Sequence, residues 1–262
     1  MKLEDFGVNS EIQTKADRCE THGDYVSRNV FRNIWSGCPY CAAERQAVQQ
    51  REEEERASSE RFRAWQKRLG EAAIPERFYT RTLDSYIATS EDQRRALEFS
   101  QAYADNFEKA GSSAIFCGRP GTGKTHLAVG IGLHLMKHNK LVLFTTVQRL
   151  VRRVKDSWND NKQSEGDVIR IFVQPDLLIL DEVGVQFGTD FERNLMFDIL
   201  NERYEKRRAT ILLSNLTVTE VKSLLGDRVF DRLREDGGQC VPFNWTSHRG
   251  EKTLSAETPS NV

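Results

Sequence analysis

Between about residues 110 and 216 short apolar runs alternate with longer segments whose apolar residues recur every three or four positions. Ala114–Cys117, Leu141–Thr146, Leu177–Leu180 and Ala209–Ser214 are four to six residues long, the length of buried strands. After the first comes His126–Met136, with Leu127, Ile131 and Leu135 one helical turn apart. After the second comes Val147–Trp158, with Val147, Leu150, Val151, Val154 and Trp158 on one stripe. Strands alternating with helices predict an α/β domain around a parallel sheet flanked by helices. Upstream, Leu97, Tyr103, Ala104 and Phe107 trace a further amphipathic helix, for which Ser90 and Gln93 form a capping box. That helix is expected to pack on the domain and cover a bound base. The alternation runs to about residue 250, and the polar tail 251–262 is expected to be disordered.

The links between these runs carry the chemistry. Gly118-Arg119-Pro120-Gly121-Thr122-Gly123-Lys124-Thr125-His126 joins the first strand to the first helix and fits G-x-x-x-x-G-K-[ST]. Its glycines let backbone N–H groups approach phosphates, and the helix N-terminus adds a favourable potential for anions. Lys124 is expected to reach the β- and γ-phosphates of ATP, and Thr125 to hold Mg²⁺. A second strand ends in Asp181-Glu182, at the sheet edge where α/β proteins bind ligands. Asp181 would bind Mg²⁺, directly or through water, and Glu182 would polarise an attacking water. A third strand ends at Asn215, an amide suited to positioning the same water. In this order the three endings read as a hydrolase of the additional-strand P-loop class, and no acceptor pocket or lid of a small-molecule kinase is evident.

The front of the chain has another character. Cys19-x-x-His22 and Cys38-x-x-Cys41 stand fifteen residues apart, the spacing of a zinc ribbon, with Gly23 and Gly37 at the expected tight turns. Tyr25, Val30, Phe31 and Trp35 are expected to supply its small apolar cluster. Residues 1–41 are thus read as a zinc-binding module. Residues 42–73 follow as a charged helical linker, free of Gly and Pro from Ala42 to Arg68, with Phe62, Trp65 and Leu69 as one apolar face. The nucleotide domain then spans 74–250. Opposite charges nearly cancel over 262 residues (38 Lys and Arg, 39 Asp and Glu), so overall charge decides nothing about nucleic acid. Locally, Arg149, Arg152 and Arg153, flanked by Lys155, line the outer face of the Val147 helix. Such a face suits a phosphate track, and equally a merely solvated surface. No signal core or membrane-spanning apolar run occurs, which points to a cytoplasmic protein with no membrane partner.

Several stretches together resemble the DnaC-type bacterial and phage helicase loaders. They are Pro75-Glu-Arg-Phe78, the Gly118–Thr125 loop, Leu178–Gly184, Asn201-Glu-Arg-Tyr204, Leu213-Ser-Asn-Leu216, Gly226–Arg234 and Asn244-Trp-x-Ser-x-Arg249. The resemblance covers about residues 74–250, and the Cys/His front end is similar to phage and prophage members. It implies an AAA+ ATPase that assembles as a ring or spiral on a replicative DnaB-type helicase hexamer and helps place it on single-stranded DNA. It also implies that Arg232 is an arginine finger reaching a neighbour's ATP, that Arg249 is a sensor-2 arginine within the subunit, and that Val147–Trp158 touches single-stranded DNA. The IstB-type helpers of DNA transposition share much of the same core and stand as the alternative.

Overall fold

The computed structural model describes residues 13–69, 74–107, 112–158, 163–184 and 189–247. The chain divides into two compact units, one up to Glu60 and one from Arg61 onward.

In the front unit β1 (Thr14–Cys19) and β2 (Gly23–Phe31) form an antiparallel hairpin, and the short β3 (Ile34–Trp35) pairs with β2. Helix α1 follows, from Pro39 to Leu69. It begins earlier than the linker expected from residue 42, because Cys41 lies in its first turn. The second Cys pair is therefore a loop-to-helix junction rather than a second hairpin knuckle. Gly23 adopts a positive φ of 77°, as its turn requires, whereas Gly37 is not among the residues with positive φ. The expected apolar cluster is also corrected. Val30 and Phe31 are 69% and 61% exposed, and among the described residues of this unit the buried side chains are Ser27 and Cys38. Ser27 Oγ donates to the Ser36 carbonyl at 2.6 Å, so a hydroxyl fills the place where apolar packing was expected.

The second unit is a five-stranded sheet in the order β5–β6–β7–β4–β8, parallel throughout. Its strands are β4 (Ala114–Gly118), β5 (Val142–Thr146), β6 (Leu177–Val183), β7 (Ala209–Ser214) and β8 (Gln239–Phe243). Strand β7 lies between β4 and β6, which is the inserted strand anticipated from the order of motifs. The crossovers are α3 (Lys124–Lys137), α4 (Val147–Ser157), α5 (Glu165–Val173), α6 (Asp190–Glu205) and α7 (Val218–Arg234). One apolar cluster joins α4–α7 to one sheet face, and a second joins α2 (Glu91–Asp105) and α3 to the other. Burial on both faces is why the strands read as continuous apolar runs instead of alternating.

The Ser90–Gln93 capping box is present. The buried face of α2 is Gln93, Ala96, Ser100 and Ala104, while Leu97 and Tyr103 are only half-buried. Small side chains at that spacing let the helix lie close. Trp158 also departs from expectation, being 55% exposed instead of closing the stripe of α4. Its indole N–H donates to Glu165 at 2.7 Å, and its ring stands edge-on to Phe191.

Arg203 is the most buried charge of this unit, at 0% exposure. Its guanidinium donates to the carbonyls of Phe172, Val173, Pro175 and Ala209 and to Thr210 Oγ1. It thereby satisfies the last carbonyls of α5 and pins that helix end to the start of β7. Burial lowers its proton affinity, but the ring of acceptors favours the charged form. Among the described residues no helix is long and apolar enough to cross a membrane.

Candidate nucleotide and metal sites

The phosphate loop sits at the carboxyl end of β4, between two neighbouring strands. Gly118 has φ 126°, and a Cβ there would lie 2.4 Å from the Phe243 carbonyl oxygen, so only glycine lets β8 approach. Gly123, φ 94°, opens α3. Lys124 is buried, and its Nζ donates to the carbonyls of Gly118 at 2.8 Å and Arg119 at 2.7 Å, arching over the loop. Thr125 Oγ1 donates to Asp181 Oδ2 at 3.1 Å. The loop hydroxyl and the strand carboxylate are thus already side by side, as shared ligands of one hard cation must be.

Glu182 follows on the exposed rim with φ 63°, a left-handed conformation that costs a non-glycine residue roughly 1–3 kcal/mol. Its N–H donates to Asp181 Oδ1 at 2.7 Å, and pairing with β7 shifts register between Leu180 and Val183. The pairing with β7 is therefore interrupted at the residue expected to meet water. Asn215 is exposed just beyond β7, between the loop strand and the acidic strand. Gly118 to Thr125, Asp181, Glu182 and Asn215 all gather at one edge of the sheet.

His126 was expected only as part of the loop. Its Nε2 meets the Thr82 carbonyl at 3.0 Å and Ser85 Oγ at 3.1 Å, and burial holds its pKa below the ordinary imidazole value. The stretch Thr82–Tyr86, ahead of α2, thus touches the end of the phosphate loop. That brace left no motif in the sequence.

Arg232 is not brought to this edge. Its Nη1 donates to Asn201 Oδ1 at 2.7 Å, and its guanidinium lies 4.8 Å from the Tyr204 ring centroid. Tyr204 adjoins Arg203, which bonds the first residue of β7, so Arg232 lies toward the amino end of the sheet. On α4, Arg149 and Arg152 are exposed and Arg153 is half-buried, and none of these three has an ion-pair partner among the described residues. Lys155 differs, because its Nζ is paired with Glu192 at 2.9 Å. Arg249 and the side chains of Phe62, Trp65 and Leu69 lie outside the described residues, as do the tail 251–262 and residues 1–12.

In the front unit the ligand atoms of Cys19, His22, Cys38 and Cys41 all lie within 4.8 Å of one another. Cys19 Sγ is 3.5 Å from Cys41 Sγ, and His22 Nδ1 is 3.3 Å from Cys41 Sγ. Two thiolates on a tetrahedral zinc, each about 2.3 Å from the ion, stand about 3.8 Å apart, so the set fits that ion. The remaining imidazole nitrogen meets Glu44 Oε1 at 3.1 Å, the orienting contact common behind metal-bound histidines. Backbone N–H groups of His22 and Thr21 pull the Cys19 thiol down to about 6, toward the thiolate a metal needs. Hydrogen bonding to Cys19 pushes the Cys41 thiol up to about 11.

Residues 43–251 match the family described as IstB-like ATP binding protein. The chain is similar to the replicative helicase loader DnaC of Buchnera aphidicola subsp. Baizongia pistaciae, 37% identical over 185 residues, 70% of this chain and 75% of that protein. It is 36% identical over 172 residues to DnaC of Escherichia coli strain K12, 66% of this chain and 70% of that one. Among solved structures, that of the DnaC helicase loader aligns with a TM-score of 0.58 at 26% identity, covering 64% of this chain and 99% of that chain. AMPPCP-bound DnaA from Aquifex aeolicus aligns at 0.53 with 25% identity, over 63% of this chain and 50% of that one.

Proposed function

Because this chain belongs to the IstB-like ATP-binding family and, within it, to the DnaC-type helicase loaders with an AAA+ core, we propose that it is an ATP-hydrolysing switch that delivers a replicative helicase to single-stranded DNA. The observation that carries this reading is the contact of Thr125 with Asp181 beneath a phosphate loop whose lysine is already in place. Lys124 neutralises phosphate charge. Thr125 and Asp181 would hold Mg²⁺, which supplies electrostatic stabilisation of the transferring phosphoryl group. Glu182 takes the proton of the attacking water, and Asn215 orients that water.

Arg232 has a separate role in this reading. Standing away from its own phosphate loop, it suits a neighbouring subunit's site, and an arginine delivered in trans is worth roughly 10³–10⁵ in rate. Arg249 would contact phosphate within the subunit. Assembly into a ring or spiral would then switch hydrolysis on. Arg149, Arg152 and Arg153 offer the face for single-stranded DNA, with Lys155 contributing less because Glu192 already neutralises it. The cysteine-rich front, residues 1–70, would hold zinc and carry the contact to a DnaB-type helicase hexamer.

Binding and turnover separate the chemical roles. Lys124→Ala is expected to abolish ATP binding, whereas Glu182→Gln is expected to bind ATP and lose hydrolysis at least a hundredfold. Wild-type turnover by Glu182→Gln would remove the base assignment. A pull-down against a replicative helicase, with and without ATP, tests the partner, and capture of a transposase instead would favour the transposition reading. In the same assays a chain starting near Ala72 is expected to lose the helicase. Arg152→Glu with Arg153→Glu is expected to keep it and to weaken single-strand binding with a shallower salt dependence.

A further inference from the structure

The Thr122 carbonyl lies in the middle of the phosphate loop, on a fully buried residue one step before the glycine that opens α3. Two side chains from opposite ends of the second unit's sequence reach it. Trp245 Nε1–H donates to it at 2.9 Å and the Tyr86 hydroxyl at 3.5 Å. Tyr86 also covers Gly123 so closely that a Cβ there would lie 2.7 Å from its ring. Trp245 packs on Phe243 with centroids 4.8 Å apart, and Phe243 packs on Phe116 of the loop strand at 5.3 Å. The Phe243 carbonyl accepts the Arg119 N–H at 2.9 Å, and Thr122 Oγ1 donates to the Arg119 carbonyl at 2.8 Å.

A trans peptide is planar, and its C=O and N–H point in opposite directions. Fixing the Thr122 carbonyl against Trp245 therefore fixes the direction of the Gly123 N–H on the far side of the same plane. That N–H opens α3 and is one of the donors a phosphate would meet. We propose that Trp245 is a positioning residue for the nucleotide: its indole N–H holds the Thr122–Gly123 peptide in the phosphate-accepting orientation, with Tyr86 as the weaker second donor. The proposal rests on the ATP reading above and adds to it a residue that reaches the loop from beyond β8. Held this way, the loop does not spend binding energy on ordering itself.

Trp245→Phe keeps an aromatic ring against Phe243 while deleting the donor and part of the indole, so affinity has to be read beside thermal unfolding to separate positioning from packing. Full-length wild type, Trp245→Phe and Tyr86→Phe would be compared by calorimetric titration with Mg·ATP and Mg·ADP. Thermal unfolding without nucleotide and steady-state hydrolysis complete the comparison. Trp245→Phe is expected to weaken both nucleotides about tenfold, the scale of one buried hydrogen bond. Its unfolding temperature should stay within a few degrees of wild type, with the loss in KM and kcat retained. Tyr86→Phe should weaken binding less than about threefold, and the double variant more than the two singles combined, because both donors share one acceptor. Wild-type affinity in Trp245→Phe, or affinity and unfolding temperature falling together, would overturn the positioning role and leave the ATP reading standing. A wild-type chain that binds no ATP would overturn the ATP reading and this proposal with it.

Discussion

Strands β2 and β6 are comparable in length and opposite in surroundings. Leu177, Leu178, Ile179 and Leu180 of β6 are all fully buried, between helices on both sides of a parallel sheet. In β2, nine residues long, only Ser27 is buried, while Val26, Val30 and Phe31 face outward. At about 25 cal/mol per Å² of apolar surface, β6 contributes heavily to its unit and β2 contributes little. The front hairpin has little apolar core, and its Cys19, His22, Cys38 and Cys41 side chains gather where a metal ion would close it. One chain thus carries one region held by packing and another that, on the zinc reading proposed above, is held by an ion.

Metal removal should separate the two regions most sharply, since zinc in small Cys/His modules is worth about 10–16 kcal/mol of folding free energy. With Cys38→Ser, or a strong chelator, the amide resonances of residues 13–41 should collapse to unfolded positions. Those of β4 to β8 should stay, with ATP affinity unchanged. Elemental analysis should find one zinc per chain, and a metal-free hairpin that keeps its spectrum would end the contrast.

A smaller effect is expected inside the packed region. Arg203→Ala removes a donor serving five buried acceptors, and should lower the stability of the second unit by about 3–5 kcal/mol. Arg203→Lys should recover only part of that, because an ammonium cannot reproduce the guanidinium fork. Urea unfolding followed through the core reads both, and a shift of the urea midpoint too small to resolve would show that other bonds hold α5 to β7.

The smallest effect concerns His126. Burial lowers its pKa in the folded state, so the fold favours the neutral ring. That stability is fully present above the unfolded imidazole value, about 6.5, and is lost as pH falls through the lower folded value. Between pH 7 and 5 the wild type should therefore lose more thermal stability than His126→Gln. Parallel pH profiles would remove His126 from the acid sensitivity.

Local spacing made the nucleotide chemistry legible. The phosphate loop occupies eight adjacent residues between a strand and a helix, so its whole pattern falls within one short window. Asp181 and Asn215 were readable because an apolar run ending in a polar residue marks the carboxyl edge of a buried strand. The clustering of Cys19, His22, Cys38 and Cys41 was readable from two short pairs. Trp158 misled because its period fits the stripe of α4, although it lies one residue beyond the helix, where its indole N–H reaches Glu165. Val30 and Phe31 misled because apolar residues in so small a sheet have nothing to pack against.

Sequence alone therefore determined four of the five strands of the large sheet, the order of their polar endings and the identity of the loop, all of which depend on residues within a few positions of one another. Strand β8 and the front hairpin were not read from it. Tertiary structure decided the rest. Trp245 meets Thr122 across 123 positions, Lys155 meets Glu192 across 37, and Arg203 gathers carbonyls as far as 31 positions away. No period or motif records such partners, because a parallel sheet brings distant crossovers together only after every strand has found its place. The same topology sets Arg232 at the opposite end of the sheet from Lys124, since each helix after a parallel strand must run back toward the next strand's start.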